Sequence, residues 1–371
     1  MAGMATNRRI WLKHIGLGLA GIGLANVESF AAPAIPGLKE LRNNDNAILL
    51  RSNENPYGPS PLARRALAGN LNISNRYNWE LASQLISAIA KSNNVSDGNV
   101  LLGAGSTELL DLVSKYVSTE KGSYVIADPS YDYWTVTLDN SGLKKIKVPV
   151  TADKRTDLQA MSGAISQDTK LVYICNPNNP TGTICERELL VKFVAGVPQS
   201  TIILVDEAYL DFTKQQSLSN LITIYPNLII VKTFSKIYGL AGARIGYALA
   251  DRKTIDRLSN LQSSPDNSVS VLSRLAAMAS LKDTRFIADC YSLNEAARQY
   301  TIDELKKLNL RCIASYANFI YFSLSDFKKD YFQLLKNNNI LGTKIYEEQG
   351  KWTRITVGTM EEMKAFIKAI Q

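Results

Sequence analysis

Short apolar runs alternate with helical patterns from about Asn99 onward. The runs are NVLLG, SYVIADP, KKIKVPV, KLVYICNP, STIILVDEA, NLIIVKTFSK and ARIGYALA, and the helical pattern GSTELLDLVSKYV follows the first of them. Continuous runs rich in β-branched residues, bounded by turn residues, are typical of strands buried on both faces of a mostly parallel sheet. The pattern therefore predicts an α/β domain.

The pattern changes after about Ser264. Two long helical segments, at residues 267–281 and 285–308, precede a strand with the sequence IASYANFIYFSL and a final helix from Met360. Helices followed by a strand and a further helix, without the earlier regular alternation, indicate a smaller α+β domain packed on the first.

The N-terminus has the features of an export signal. Paired Arg8 and Arg9 precede an apolar, glycine-rich stretch at residues 15–25 and a run of small residues. This stretch is too short to span a bilayer as a helix, and the paired arginines resemble the twin-arginine export signal. We expect this segment to direct the folded protein to the periplasm, the alternative being a membrane-anchored or amphipathic start.

The predicted organisation has four parts, since a chain of 371 residues is long enough for two domains. They are a signal peptide at residues 1–31, an N-terminal arm at residues 32–55, a large domain at residues 56–264 and a small C-terminal domain at residues 265–371. Once the signal is removed, no membrane association is expected.

Composition excludes several kinds of site. The only histidine is His14, inside the expected signal, so the rest of the chain has no imidazole for a Ser-His-Asp triad, a zinc site or a histidine base. The four cysteines lack metal-site spacing, and no metal is expected. The net charge of +8 is spread among 34 acidic residues without a dense basic block, which favours a solvated surface over a nucleic-acid interface.

Polar residues follow four of the predicted strands, at the edge where open α/β sheets bind their ligands. One strand is followed by the glycine-rich helix entry GAGST, whose backbone N–H groups form a ready anion site. The other polar residues are, in chain order, Asn179 in the motif NPNNPTG, Asp206 and Tyr209, Ser235 and Lys236, and Arg244. Each feature alone is more often structural, but together and in this order they indicate a ligand site.

The order of NPNNPTG, VDEAY and TFSK, with an arginine eight residues after the lysine, resembles fold-type I pyridoxal phosphate aminotransferases, in particular their histidinol-phosphate aminotransferase-like branch. Further matching segments are SNENPYGPSP, NRYN, GAGSTELL, DPSYDYW, SYANFIYF and RITVG, so the resemblance runs from about Ser52 to the C-terminus. It implies pyridoxal 5′-phosphate as the cofactor. It also implies a large domain with a mostly parallel seven-stranded sheet flanked by helices, and a smaller α+β C-terminal domain.

The resemblance implies roles for residues near the cofactor ring. Lys236 would hold the cofactor as a Schiff base and shuttle the proton released at the substrate Cα. Asp206 would pair with the pyridine nitrogen and keep it protonated, so that the ring accepts electrons. Tyr209 and Asn179 would donate to the phenolic oxygen of the ring, Asn179 also being expected to bind substrate, and Tyr131 would stack on the ring face.

Further residues match the positions that bind the cofactor phosphate and the substrate. The phosphate cradle would comprise Ser106, Thr107, Thr233, Ser235 and Arg244, with a guanidinium fork adding paired contacts to the helix-end N–H groups. Tyr77 matches a tyrosine that reaches the phosphate of the partner subunit, which implies a homodimer. Arg354 matches the arginine that binds the substrate α-carboxylate.

We therefore expect an aminotransferase that moves an amino group between an amino acid and a 2-oxo acid. A decarboxylase, lyase or oxidase on the same scaffold is the nearest alternative, because the bond that breaks depends on a substrate orientation that the sequence does not show. A non-catalytic exported protein that binds pyridoxal phosphate or an amino acid is a further alternative, although it would not need the set formed by Lys236, Asp206 and Arg244.

The stretch before Arg354 bears on the substrate. Members of the resembled branch that use histidinol phosphate carry a second arginine about a dozen residues earlier, which binds the substrate phosphate. Here that stretch, residues 340–344, reads ILGTK and contains no arginine. Because Lys344 lacks the planar two-donor fork of arginine, we expect a free amino acid rather than histidinol phosphate as the substrate.

Overall fold

The apolar runs of the sequence form one seven-stranded sheet in the computed structural model of the protein. The structure describes residues 47–265 and 267–371, so the expected signal at residues 1–31 and most of the expected arm at residues 32–55 lie outside the described residues. In chain order the strands are β1 Ile48–Leu49, β2 Val100–Gly103, β3 Ser123–Asp128, β4 Lys144–Pro149, β5 Thr169–Cys175, β6 Ile202–Asp206, β7 Leu228–Thr233, β8 Gly246–Ala250, β9 Phe319–Ser323, β10 Ile340–Leu341, β11 Ile345–Glu347 and β12 Trp352–Thr356.

The large sheet has the strand order β2-β8-β7-β6-β5-β3-β4. All its pairs are parallel except those of β8, which runs antiparallel to both β2 and β7. The prediction of a mostly parallel seven-stranded sheet is therefore confirmed. Since β3, β5, β6 and β7 are parallel, their carboxyl ends meet at one edge of the sheet.

Helices cover the sheet and the C-terminal part of the chain. In chain order they are α1 Pro61–Gly69, α2 Trp79–Asn93, α3 Ser106–Val117, α4 Val136–Asn140, α5 Leu158–Gly163, α6 Arg187–Gly196, α7 Arg252–Ser259, α8 Val271–Lys282, α9 Thr284–Lys307, α10 Tyr331–Asn337 and α11 Met360–Ile370. In the part of the chain that the structure describes, no helix is both long enough and apolar enough to cross a membrane.

Strand β7 shows why the apolar runs form central strands. Successive side chains of a strand point to opposite faces, and here Ile230 lies in the core on one face while Ile229 and Val231 lie in the core on the other. All three are fully buried. A strand covered on both sides favours apolar residues at successive positions, which is the pattern of residues 228–231.

A second sheet, with the order β11-β12-β9, is antiparallel and has its own apolar core with the last helix, α11. A smaller α+β part was predicted here. Its predicted boundary, at residues 264–265, falls in the loop between α7 and α8 and remains a prediction. Strands β10 to β12 were not predicted. A third pairing joins β1 to β10 in parallel, so residues 48–49 lie against the C-terminal part.

Two predicted boundaries in this part are wrong. The helix expected from residue 267 begins at Val271, because the side chain of Ser270 accepts a hydrogen bond from the Ser273 backbone at 3.2 Å and caps the helix there. The strand expected over IASYANFIYFSL covers only β9. Before it, the Ser315 hydroxyl bonds to the backbone of Ala317 and Phe319, and the resulting turn replaces extended pairing.

Candidate active site

A cavity of about 460 Å³ lies at the carboxyl ends of the parallel strands. Eleven of the twelve residues predicted for the site line it: Ser106, Thr107, Tyr131, Asn179, Asp206, Tyr209, Thr233, Ser235, Lys236, Arg244 and Arg354. The exception is Tyr77. The sheet thus brings together residues that are far apart in the sequence, as the position of the polar residues after the strands predicted.

Asp206 is the last residue of β6, and its carboxylate is buried at the floor of the cavity. One oxygen accepts a hydrogen bond from the Ala208 backbone N–H at 3.0 Å, and the other accepts one from the Tyr173 hydroxyl at 3.1 Å. Burial raises the pKa of Asp206 to about 6, against the lowering effect of these two hydrogen bonds and of Lys236. The carboxylate is therefore ionised above that pH and can hold a protonated heterocyclic nitrogen.

Lys236 extends into the same cavity from the turn after β7. Its Nζ donates to the Ser52 carbonyl at 3.2 Å and lies 5.5 Å from the centroid of the Tyr209 ring. Burial, helped by the positive charge of Arg354, lowers the pKa of Lys236 to about 8. A lysine with this pKa provides a substantial fraction of free amine near neutral pH, which is the form that attacks a carbonyl carbon or accepts a proton.

Tyr209 is buried beside Lys236 and belongs to a network of side chains. Its hydroxyl accepts hydrogen bonds from the amides of Asn53, at 3.0 Å, and Asn179, at 3.4 Å. Burial raises the pKa of Tyr209 well above its ordinary value, so this hydroxyl keeps its proton. The Asn179 amide oxygen in turn accepts a bond from Nη1 of Arg354 at 2.5 Å.

Arg354 comes from β12, in the C-terminal sheet, and has only 6% of its surface exposed. Its Nη2 donates to the Arg51 carbonyl at 2.8 Å, while Nε is buried without a hydrogen-bond partner among the described residues. The guanidinium lies 5.2 Å from the Phe319 ring and 5.3 Å from the Tyr346 ring. A buried guanidinium that keeps an unpaired N–H group is suited to an anion that enters the cavity.

The other end of the cavity is an anion cradle at the start of α3. No side chain caps this helix, because its N-cap residue is Gly105, at a φ of +80°. A Cβ at Gly105 would overlap the Arg244 guanidinium, and one at Gly246 would lie 2.7 Å from the backbone nitrogen of Ser106. The two glycines thus allow Arg244 and β8 to approach the free N–H groups of the helix.

Hydroxyl groups complete this cradle. The Thr233 hydroxyl donates to Ser235 Oγ at 2.9 Å and accepts a bond from the Ser235 backbone at 3.0 Å, which fixes both side chains after β7. Arg244 Nη1 lies 3.5 Å from the same Ser235 oxygen. Helix-end N–H groups, hydroxyls and a guanidinium form a donor set that suits a phosphate monoester.

Residues 45–370 match the family described as aminotransferase class I and II. The chain is 34% identical over 349 residues to histidinol-phosphate aminotransferase of Moorella thermoacetica, which covers 91% of this chain and 90% of that protein. It is 31% identical to an aromatic amino acid aminotransferase of Cutibacterium acnes, with 88% and 93% covered. The chain belongs to the class I and II aminotransferases.

A solved structure bears on the cofactor of this aminotransferase. Histidinol-phosphate aminotransferase from Sinorhizobium meliloti in complex with pyridoxal 5′-phosphate aligns with a TM-score of 0.80 at 25% identity, covering 93% of this chain and 97% of that one. The chain is a pyridoxal phosphate-dependent enzyme that transfers amino groups between amino acids and 2-oxo acids. The alternatives of a decarboxylase, lyase, oxidase or non-catalytic binding protein are not favoured.

The cavity of this aminotransferase fits its cofactor. The donors of the cradle at α3 would suit the phosphate, and the buried carboxylate of Asp206 would suit the pyridine nitrogen. Lys236, with its lowered pKa, is the lysine that lines the cavity. The chemistry of the donor set therefore agrees with the family assignment at both ends of the cofactor.

Tyr77 lies outside this cavity and is 74% exposed. Its ring stacks on that of Trp79 at a centroid distance of 5.7 Å, and Trp79 is also exposed. The backbone carbonyl of Tyr77 accepts a bond from buried Arg274 at 3.4 Å. The site of its own chain does not contain Tyr77, and its predicted role in a partner subunit stays a prediction.

Several cavity residues were not predicted as part of the site. Arg51, Ser52, Asn53 and Glu54 line it because the chain passes from β1 along β12, where Asn53 bonds to Thr356. The motif SNENPYGPSP, which supports the family resemblance, includes three of them and is the signal that could have identified them. Tyr133 and Tyr346 also line the cavity, and no single motif indicates both.

Proposed function

We propose that this aminotransferase uses Lys236 to hold its cofactor and to move the substrate proton, with a free amino acid as the donor. The observation that carries the proposal is that the Lys236 amine, the Asp206 carboxylate and the Arg354 guanidinium face one cavity. With a pKa of about 6, Asp206 is ionised at neutral pH, and a pKa of about 8 leaves part of Lys236 as the free amine.

When bound, pyridoxal phosphate supplies an aldehyde that reacts with amines and a ring that accepts the electrons released at the substrate Cα. In this proposal, Asp206 keeps a proton on the ring nitrogen, since its carboxylate is buried and oriented by Tyr173 and Ala208. Lys236 Nζ accepts the Cα proton. Arg354 binds the α-carboxylate and fixes which end of the substrate faces Lys236.

The residues that precede Arg354 favour a free amino acid over histidinol phosphate as the substrate. Within residues 340–344 the only cation is Lys344, whose Nζ lies 5.7 Å from the Tyr133 ring and 5.9 Å from the Tyr346 ring. Its ammonium provides a point charge without the paired donors that match a phosphate. Histidinol-phosphate aminotransferase is nevertheless the name of several relatives, including that of Moorella thermoacetica, so this substrate is the one to exclude.

The test compares kcat/KM for histidinol phosphate with kcat/KM for a panel of free amino acids, using 2-oxoglutarate as the common acceptor. We expect at least one free amino acid, from a panel with aliphatic, acidic and aromatic side chains, to exceed the phosphate ester. A clear preference for histidinol phosphate would contradict the proposal on the substrate. Amine or hydrogen peroxide as the product, in place of a new amino acid, would contradict transfer itself.

The homodimer in which Tyr77 reaches the partner's cofactor is also a proposal, supported by the exposure of Tyr77 and Trp79. Mixing two inactive variants, Tyr77→Ala and Lys236→Ala, tests it. If Tyr77 acts across the interface, each mixed dimer has one intact site, and activity returns to about a quarter of the wild-type value because half of the dimers are mixed. No recovery after subunit exchange would contradict the proposal.

Export to the periplasm through the twin-arginine pathway is proposed from the sequence of residues 1–31, which lie outside the described residues. We expect replacement of Arg8 and Arg9 by lysines to retain a folded, cofactor-loaded precursor in the cytoplasm. Cell fractionation decides the question, with a co-expressed protein carrying a different export signal as the control. Undiminished appearance of the variant outside the inner membrane would contradict this route.

A further inference from the structure

Behind the cofactor cavity lies a charge cluster formed by buried Lys232, buried Glu207 and partly exposed Asp211. The Lys232 ammonium lies 3.1 Å from an Asp211 carboxylate oxygen and 3.6 Å from Oε2 of Glu207. The side chains of Lys232 and Glu207 are only 8% and 2% exposed. Burying charged groups costs free energy even when they are paired, so this cluster needs an explanation.

Lys232 provides the positive charge of the cluster, opposite two carboxylates. Burial alone would lower its pKa, but the Asp211 and Glu207 carboxylates raise the pKa of Lys232 well above its ordinary value, so it is protonated. The hydroxyl-bearing rings of Tyr238 and Tyr247 face the same ammonium. Nothing in the transfer reaction described above uses this lysine.

Glu207 connects the cluster to the active site because it directly follows Asp206. Its Oε1 accepts a bond from the Leu218 backbone at 3.0 Å, whereas Oε2 has no hydrogen bond among the described residues and meets the Lys232 ammonium. The same turn leads to Tyr209, in the cavity, and Asp211, in the cluster. Lys232 therefore joins the segment that carries Asp206 and Tyr209 to the strand that leads to Lys236.

We propose that Lys232 is a positioning residue, which offsets the negative charge of Glu207 behind the cavity and so keeps its neighbour Asp206 ionised at neutral pH. The inference rests on the proposed role of Asp206 as the partner of the cofactor ring. It assigns a purpose to a buried lysine that follows four apolar residues in β7.

The charge of Glu207 acts on Asp206 together with other groups. Glu207 raises the pKa of Asp206, and Lys236 lowers it from the cavity side. From β5, the Tyr173 hydroxyl donates to the carboxylate and the Cys175 thiol lies close by. Tyr131 and Tyr209 face it from the cavity. Of these groups, only Glu207 is a second carboxylate. Loss of its counter-ion, Lys232, should therefore raise the pKa of Asp206.

The experiment measures the titration of Asp206 directly. Protein labelled with ¹³C at the aspartate carboxyl carbons is freed of cofactor and titrated by NMR. Reconstitution with the cofactor afterwards confirms that the protein is native. The Asp206 signal is identified as the one that is lost in Asp206→Asn. The variants are Lys232→Met, Glu207→Gln and the double variant. Lys170→Met, which removes a lysine paired with Glu120 at the surface, is the matched control.

We expect the Asp206 midpoint to rise by about one pH unit in Lys232→Met, the size expected for an uncompensated charge in a partly screened interior. It should fall in Glu207→Gln, return close to the wild-type value in the double variant, and stay unchanged in Lys170→Met. In the cofactor-loaded enzyme, the acid limb of kcat/KM should shift in the same directions. If Lys232→Met does not fold, the downward shift in Glu207→Gln still tests the inference.

An unmoved midpoint in Lys232→Met, or in Glu207→Gln, would overturn the inference. So would a double variant that stays displaced, because that result would mean that Lys232 acts through packing rather than charge. If the midpoints move as expected but the acid limb of kcat/KM does not, the charge coupling stands and the proposed role of Asp206 in transfer is wrong. The two proposals therefore fail in distinguishable ways.

Discussion

Replacing Arg354 by lysine tests how this enzyme recognises its substrate. The substitution keeps the positive charge but removes the planar fork, so only one of two paired hydrogen bonds to a carboxylate survives. It also leaves the Asn179 amide oxygen and the Arg51 carbonyl without the donors that now lie 2.5 and 2.8 Å away. A hydrogen bond to a charged group contributes about 1.5–3 kcal/mol, which predicts a loss of about 10- to 150-fold in kcat/KM.

The assay compares an amino acid with the amine that lacks its carboxylate, using the same acceptor, in the wild type and in Arg354→Lys. If Arg354 binds the α-carboxylate, the variant loses activity toward the amino acid while the slow reaction of the amine hardly changes. The ratio of kcat/KM for the amino acid to kcat/KM for the amine then falls by the same factor of about 10 to 150. An equal loss with both compounds, or a loss of less than about threefold with the amino acid, would refute the reasoning.

Two further predictions concern the cofactor site. Because burial raises the pKa of Asp206 from 3.8 to about 6, the wild type loses folding free energy as the pH rises from about 4 to about 6, so cofactor-free Asp206→Asn should be more stable than wild type by about 2–3 kcal/mol at pH 7.5. In urea unfolding this difference should shrink as the pH falls and vanish below about pH 4. Transfer by the loaded variant should be slowed, and equal stability at pH 7.5 would contradict the prediction. Gly105→Ala should weaken cofactor binding by at least about tenfold, since its Cβ would lie 2.8 Å from Arg244 Cζ at a φ of +80°. Gly242→Ala, whose Cβ meets nothing within 4 Å, is the control in the same dissociation measurement, and similar affinities of the two variants would argue against the cradle.

The large sheet was predictable because its signal is local. A run such as LIIV, residues 228–231, is apolar at every position, which is typical of a strand covered on both faces. The C-terminal sheet was harder, because β11 and β12 are short and lie in GTKIYEEQGKWTRIT, where charged residues and glycine hide the alternation. In addition, β12 pairs with β9, which is distant in the sequence, and β11 pairs only with β12 among the described strands.

The residues of the site likewise divide into those that local sequence signals predict and those that depend on contacts between distant parts of the chain. Asp206 and Lys236 follow strands whose carboxyl ends must meet, so their proximity follows from the topology. Asn53 enters the site only because the preceding chain pairs with β10 and runs beside β12, and no pattern around residue 48 indicates that path. Lys232 is hidden for a different reason. A lysine near the end of an apolar run is expected to be exposed, and its burial depends on two carboxylates that follow another strand.

The central claim is that Lys236 holds the cofactor, and borohydride reduction followed by peptide mass mapping tests it most directly. Reduction fixes the cofactor to whichever lysine carries it, so no kinetic assumption enters. The account predicts a single modified peptide containing Lys236, and no modification in Lys236→Ala. Modification of a different lysine in the wild type, or cofactor that is still fixed by borohydride in Lys236→Ala, would contradict it.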